Sequence, residues 1–577
     1  MREAAAKCEV AVKSTMRSFL AQPTLYVAYS EFQRRSAVLG VEQAKLLELY
    51  FERSKRAGAR LDEAKRSRLL AVRSEIDRLQ SEYLAAVSRQ DSFVELDESQ
   101  IRGLASEVRA SLVNLPESKY RLPLRTTFYS RFMATAHDAQ ARQKVNEAYL
   151  NLGGAQNEQR LQQLLVLRSE AAQILGYSSH AEYVLEEQSA KSIIKVRQFL
   201  EDIRLRLKPA AQKDLEVLLA LKKEKNADAK RIENWDWRYY DNLRKSREVS
   251  FTQEQVRPYF PVDNVLRATT VFFGDLMGID FIQMPAEVWH PDVRLYALRD
   301  RSSGEWLGHM YFDLFSREGK LNAFAVSGLK GSFIRADGSR SLPAGVLIGN
   351  WQQGSRDTPA LLDHKQLTAF VHEFGHLLEQ SVHKSRYESL GFRRDWVEVP
   401  AETLENYAWE PDFLKRVSSH HVTGKQLPDP LISSLIASRP VDLALENARQ
   451  LSYALTDLEY HASNRVDLTE TWQRYAEGVF GVPIEPQSRP QSNFVHFAIG
   501  SDSRYYSYLW SKVYAQDFFA KLLGADSKNQ YGKQLRKWVF EPRGTYEPDV
   551  LAEKFLGRPV SDRAFIESLL LSLSPKI

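Results

Sequence analysis

The sequence predicts a mainly α-helical fold carrying one small β-sheet. Apolar residues recur at three- and four-residue spacing from Met1 to about Asn234 and again from Leu361 onward. Segments rich in β-branched and aromatic residues cluster in the stretch between them. Hydrophobic residues make up 43% of the 577 positions, which is enough to build large buried cores and to exclude disorder as the main state.

The clearest helix of the first half is Asp62–Val87, where Leu69, Val72, Ile76, Leu79, Tyr83 and Val87 form one apolar stripe. Leu161–Ala172 and Val196–Leu221 follow the same pattern, with Gly153-Gly154 and Gly176 as breaks. After Pro258 the character changes. Val293–Leu298 and Trp306–Leu314 are expected to be strands, paired as a hairpin through the glycine-bearing turn Arg301–Glu305. Leu321–Val326 and Gly345–Trp351 are further strands, and helices return at Leu361, interrupted at Pro428–Pro430 and Pro483–Pro490. The length suggests about two to four structural units.

Composition excludes several function classes. Cys8 is the sole cysteine, so no intrachain disulfide or cysteine-rich zinc finger exists, the expected compartment is reducing, and any metal is held by His, Asp or Glu. The net charge of +5 is spread over both signs, which gives solubility and not a nucleic-acid footprint. No apolar run approaches the roughly 20 residues of a membrane span. Met1–Leu20 lacks a secretory signal; Glu3 and Glu9 argue against a transit peptide. The expected location is cytoplasmic, with a mitochondrial or other organellar one as the alternative.

His372-Glu373-Phe374-Gly375-His376 is a His-Glu-x-x-His motif. Leu367, Phe370, Val371, Phe374, Leu377 and Leu378 have helical spacing around it, and Asp363 with Gln366 forms a capping box at the helix start. On a helix, residues four apart share a face, so both imidazoles reach one ion while Glu373 stands beside them as a base. Gly375 inside a helix costs about 1 kcal/mol against Ala and suggests close packing. The third ligand is expected downstream, where Glu398, Glu402 and Glu405 fall on one side of a helix from about Val399 to Trp409. Taken alone, such a trio is more often a solvated face. Beside the motif, Glu398 is the expected ligand, with Glu402 or Glu405 as acceptor for a ligand imidazole N–H.

Val371–Leu378 and Asp395–Asn406 resemble the active-site segments of the thimet oligopeptidase and neurolysin family of zinc metallopeptidases. In that family a His-Glu-Phe-Gly-His helix precedes Asp-Phe-Val-Glu-x-Pro-Ser-Gln-x-Leu-Glu. Arg257–Pro261, Val288–Arg294, Tyr311–Lys320 and Tyr505–Ser511 resemble further landmarks in the same order, and Tyr26–Phe51 and Leu175–Ser189 are similar too. The resemblance covers nearly the whole chain, with Met1 corresponding to a point inside a typical member.

The resemblance implies a two-lobed helical zincin fold, with the small β-sheet near the active site and a deep substrate channel between the lobes. It implies one Zn2+ held by His372, His376 and Glu398, with Glu373 as general base, and His496, Tyr505 and Tyr508 over the substrate as oxyanion donors. The corresponding division is an N-terminal helical lobe, 1–257, and a catalytic lobe, 258–577. The latter contains the sheet (about 290–351), the zinc-binding helices (about 362–410) and a C-terminal helical region (about 430–577). Short unstructured peptides are the implied partners, cleaved at internal bonds by a monomer that engages neither nucleic acid nor membrane. The alternatives are a processing peptidase, a zincin trimming C-terminal residues, or a degenerate peptide-binding protein without turnover.

Departures from the family are specific. Ser501 stands where a further Tyr is common, Glu379 where a third His often follows the motif, and Ala401-Glu402 where Ser-Gln is usual. Ala323 and Phe324 replace a more common His and Ala, a change expected to narrow or reshape the substrate edge.

Overall fold

The computed structural model describes the chain apart from residues 1, 36–38, 89–91, 105, 249–250, 321–323, 440, 442, 464, 525–527 and 571–577. It is mainly α-helical, with helix over 59% of the chain. The predicted stripe helix is Glu63–Val87, begun by the Asp62 carboxylate, which accepts a hydrogen bond from the Lys65 amide. Its residues Leu69, Val72, Leu79 and Tyr83 are buried, partly against Leu161, Leu164 and Leu165 of the helix Gly154–Ile174. A long helix, Ile193–Lys223, packs along Leu443–Ala462.

The sequence pattern missed one sheet and part of another. Within the N-terminal half, β1 (Phe93–Asp97), β2 (Val113–Leu115) and β3 (Lys119–Pro123) form a three-stranded sheet in the order β1-β3-β2. These strands are too short to show a period against the helices around them. In the central sheet, β4 (Ile279–Met284) precedes the predicted hairpin of β5 (Arg294–Asp300) and β6 (Trp306–Phe315). β7 (Ala325–Lys330) begins later than expected; the start of the predicted strand, Leu321 to Ala323, and with it the Ala323 departure, lie outside the described residues. A small ladder of β8 (Phe333–Ile334) and β9 (Arg340–Ser341) leads to β10 (Ala344–Trp351). The order is β4-β5-β6-β10-β7, with β10 parallel to β6 and β7 antiparallel to β10 at the edge.

The helix His364–Val382 lies on this sheet. Its buried side joins Phe370 and Phe374 to Phe273, Phe312 and Trp351 in one aromatic cluster. Burying each such ring stabilises the pairing by about 1.5–3 kcal/mol. Gly308 on β6 permits the contact, because a Cβ there would lie 2.0 Å from the Ser381 carbonyl oxygen. The motif is thus carried on a helix fixed along one side by the sheet, in a core that draws on residues from Ala181 to Leu569.

Candidate metal centre

Both imidazoles come from the helix seated on the sheet. Asp363 closes the predicted capping box: its carboxylate accepts from the Gln366 amide at 2.8 Å, and Gln366 accepts from the Asp363 amide at 3.0 Å. One turn apart, the His372 and His376 rings have centroids 5.0 Å from each other. Their Nε2 atoms lie 3.3 and 3.0 Å from one oxygen of Glu398. One ligand atom from each of the three lies within 4.8 Å of the others. Bonds of 2.0–2.1 Å in a tetrahedral zinc site put neighbouring donors about 3.3 Å apart, so this donor set fits such an ion.

Glu398 immediately precedes the helix Val399–Glu405, which continues as a 3₁₀ turn, Asn406–Trp409. That helix reaches the motif helix because residue 375 has no side chain: a Cβ on Gly375 would stand 2.7 Å from the Ala401 Cα. The approach brings Glu405 to His372, with its Oε2 2.9 Å from Nδ1, leaving Nε2 turned toward Glu398. Glu405, and not Glu402, therefore meets the ligand imidazole. Among the described residues Glu402 Oε2 is buried without a hydrogen-bond partner. Burial raises its pKa well above the usual carboxylate range, with Lys512 opposing.

The charges around the histidines call for a cation. Burial disfavours charge on His372, but Glu398 and Glu405 outweigh it and push the pKa up to about 11. Burial likewise opposes ionisation of Glu398, yet the two imidazoles hold its pKa well below the ordinary range. Glu373 differs: burial raises its pKa, offset in part by His376 and His372 and by a hydrogen bond from the Val326 backbone. Val326 lies on β7, whose outer edge pairs with no other strand among the described residues.

The ligand segment is anchored through Asp395. Its buried carboxylate accepts from the Ser189 amide and hydroxyl at 3.0 and 2.7 Å, from the Ala190 amide at 3.1 Å, and from the Tyr506 hydroxyl at 2.7 Å. Tyr506 belongs to the segment that carries the remaining predicted residues. There, His496 Nδ1 is 3.1 Å from the Ser501 hydroxyl, and burial lowers its pKa. The Tyr505 hydroxyl donates to Gln450 at 2.9 Å. Tyr508 lies in the first turn of the helix Ser507–Leu523. Burial raises its pKa, Glu398 and Glu402 add to the rise, and a hydrogen bond with Ser501 opposes it. Tyr508 thus feels the charge of the metal cradle's carboxylates. Tyr505 and His496 adjoin it through ring contacts, with centroids 5.1 and 6.2 Å from that of Tyr508.

Sequence reasoning missed how this segment is held. Arg168, fully buried, donates to the Phe497 and Ala498 carbonyls at 2.7 and 2.6 Å. Asp457 accepts from the Ser503 and Tyr505 amides, both at 3.0 Å, and pairs with His461. His180 lies 2.8 Å from Asp502. Buried charge thus clamps both flanks of Gly500, which is left-handed at φ +86 with open space around it. No local spacing announces these partners; a lone Arg or Asp on an apolar helix face is the only signal. The departure at Glu379 is also answered, because Arg543 stands 3.0 Å from its buried carboxylate and offsets the added negative charge.

Comparison with known proteins gives the family. Residues 132–571 match the family described as Peptidase family M3. Saccharolysin of Saccharomyces cerevisiae is 29% identical over 572 residues, spanning 94% of this chain and 80% of the yeast protein. Oligopeptidase A of Escherichia coli is 30% identical over 575 residues, spanning 94% of this chain and 84% of the bacterial one. Among solved structures, PZ peptidase A with an inhibitor shares the fold at a TM-score of 0.55 and 12% identity, over 96% of this chain and 84% of that one. The chain belongs to peptidase family M3 and is a metallopeptidase.

Proposed function

We propose that this member of peptidase family M3 is a zinc-dependent oligopeptidase that hydrolyses internal bonds of short unstructured peptides. The observation that carries the reading is the convergence of His372, His376 and Glu398 within 4.8 Å, with Glu405 on the far nitrogen of His372. In this reading the three converging side chains hold one zinc ion. When bound there, zinc would supply Lewis acidity, polarising the scissile carbonyl and acidifying water.

The protein's own residues do the rest. Glu373 takes the proton of the attacking water and passes it to the leaving amine, a role its burial-raised pKa favours. Glu405 fixes the tautomer of His372. Tyr508 donates to the developing oxyanion, with Tyr505 and His496 ordering the ring stack behind it. The free edge of β7 beside Glu373 offers backbone groups for an extended peptide. The exposed thiol of Cys8 supports a reducing, cytoplasmic setting, and among the described residues no helix is long and apolar enough to cross a membrane.

The reading is tested by metal analysis combined with hydrolysis of a quenched fluorescent peptide. One zinc per chain and activity lost to chelator and restored by zinc are expected. Undiminished hydrolysis in a metal-stripped protein would overturn it.

A further inference from the structure

The lining of a cavity of about 610 Å³ includes none of the residues assigned above to the metal or the oxyanion. It is strongly cationic: eight Arg or Lys side chains face three carboxylates, Asp77, Glu187 and Glu547. Those acids are already engaged, Asp77 with Arg17, Glu187 with Arg56, and Glu547 with both Lys45 and Arg393. Arg53 and Arg394 are exposed within it and make no hydrogen bond or ion pair among the described residues. Although the Arg394 side chain keeps solvent-accessible surface, partial desolvation of its guanidinium within the cavity and the like charge of Arg504 both disfavour its charge, with Asp502 and Glu187 only partly relieving it. Cations crowded in a concave, partly desolvated space focus a field that attracts an anion.

The cavity adjoins the metal centre through the chain itself. Gln188 lines it, and the next residue, Ser189, holds Asp395. Arg394 lines it, and Glu398 follows one turn later. Arg504 lines it, immediately before Tyr505, and the Tyr506–Asp395 hydrogen bond ties these last two segments together. Arg394 starts a 3₁₀ turn that passes through helical backbone at Val397 and Glu398, so at about 1.5–2 Å per residue its backbone stands roughly 6–8 Å from that of Glu398. An extended peptide covers that span in about two to four residues.

We propose, building on the peptidase reading, that this cavity is a substrate subsite for a carboxylate, so that the enzyme prefers acidic peptides. The carboxylate, from a side chain or from the peptide C-terminus, sits between Arg394, Arg53 and Arg504, about two to four residues from the cleaved bond.

The test uses matched quenched fluorescent peptides carrying Glu, Gln or Lys at successive positions on each side of the cleaved bond, with free or amidated C-termini. The wild-type protein is expected to favour Glu over Gln by about tenfold in kcat/KM, mainly through KM, at one position. Added salt should shrink the preference. Arg394→Gln should bring the ratio close to one, and Arg53→Gln, at an exposed site where the side chain contacts the Tyr50 ring, should lower it with an unchanged melting temperature. A preference that follows amidation identifies the terminal carboxylate as the source; one that follows Glu against Gln identifies the side chain. A wild-type ratio near one, or an equal loss on Glu and Gln peptides in both variants, would overturn the assignment. Kd for labelled Glu and Gln peptides, read by fluorescence anisotropy, separates the two claims. Binding that keeps the Glu preference without turnover counts against the peptidase reading alone.

Discussion

The two regions that converge on the centre are built on opposite principles. The metal cradle is helix against helix: His364–Val382 is seated on a sheet, Val399–Glu405 is drawn in at Gly375, and Glu405 locks one ligand ring. The segment carrying His496, Tyr505 and Tyr508 has little regular structure around Gly500 and is held from outside by Arg168, Asp457 and His180. The contrast teaches where each function tolerates freedom. A ligand set needs donors about 3.3 Å apart and gains from rigid elements. In the proposed mechanism the oxyanion donor has to admit and release substrate, which suits a carrier fixed at the flanks and open between them.

Replacing a ligand should break the rigid half completely. Glu398→Ala is expected to lose bound zinc and with it detectable hydrolysis, both read by metal analysis and peptide cleavage. Full zinc stoichiometry in that variant would move the third ligand onto the helix that follows, Val399–Glu405. The loop half should fail differently. Tyr508→Phe keeps the ring and the metal, and is expected to lower kcat by about 10²–10³ with little change in KM. A silent Tyr508→Phe would reduce the residue to packing.

Smaller effects sharpen the comparison at the supports. Glu405→Ala leaves all three ligands but frees the His372 ring, so zinc affinity should fall about 10–100-fold in competition with a chelator. Asp457→Ala orphans the Ser503 and Tyr505 amides, at about 1–3 kcal/mol for each group left unsatisfied. Its melting temperature and kcat should drop while zinc affinity holds. Weaker zinc binding in Asp457→Ala would show that the two halves are not independently supported.

What the sequence revealed follows the same division. The capping box of Asp363 and Gln366, the helical face of His372 and His376, and the role of Gly375 as a contact point all arise from local spacing. So does the stripe from Leu69 to Tyr83. The choice between Glu402 and Glu405 could not be made from spacing, because it depends on how the Gly375–Ala401 contact turns the second helix. The β1–β3 sheet was hidden by brevity, and β4 by the apolar helix Val262–Met277 that runs into it across Gly278 alone. The clamps on the loop were hidden by distance: Arg168 reaches Phe497 across more than half the chain, and neither residue carries a mark of the other.

The central claim is that Glu373 acts on the proton and holds no metal. Zinc stoichiometry and kcat measured together on Glu373→Gln test it most directly. One zinc per chain is expected, as in the wild type, with kcat reduced by about 10²–10⁴. Undiminished kcat, or loss of the metal along with activity, would contradict it.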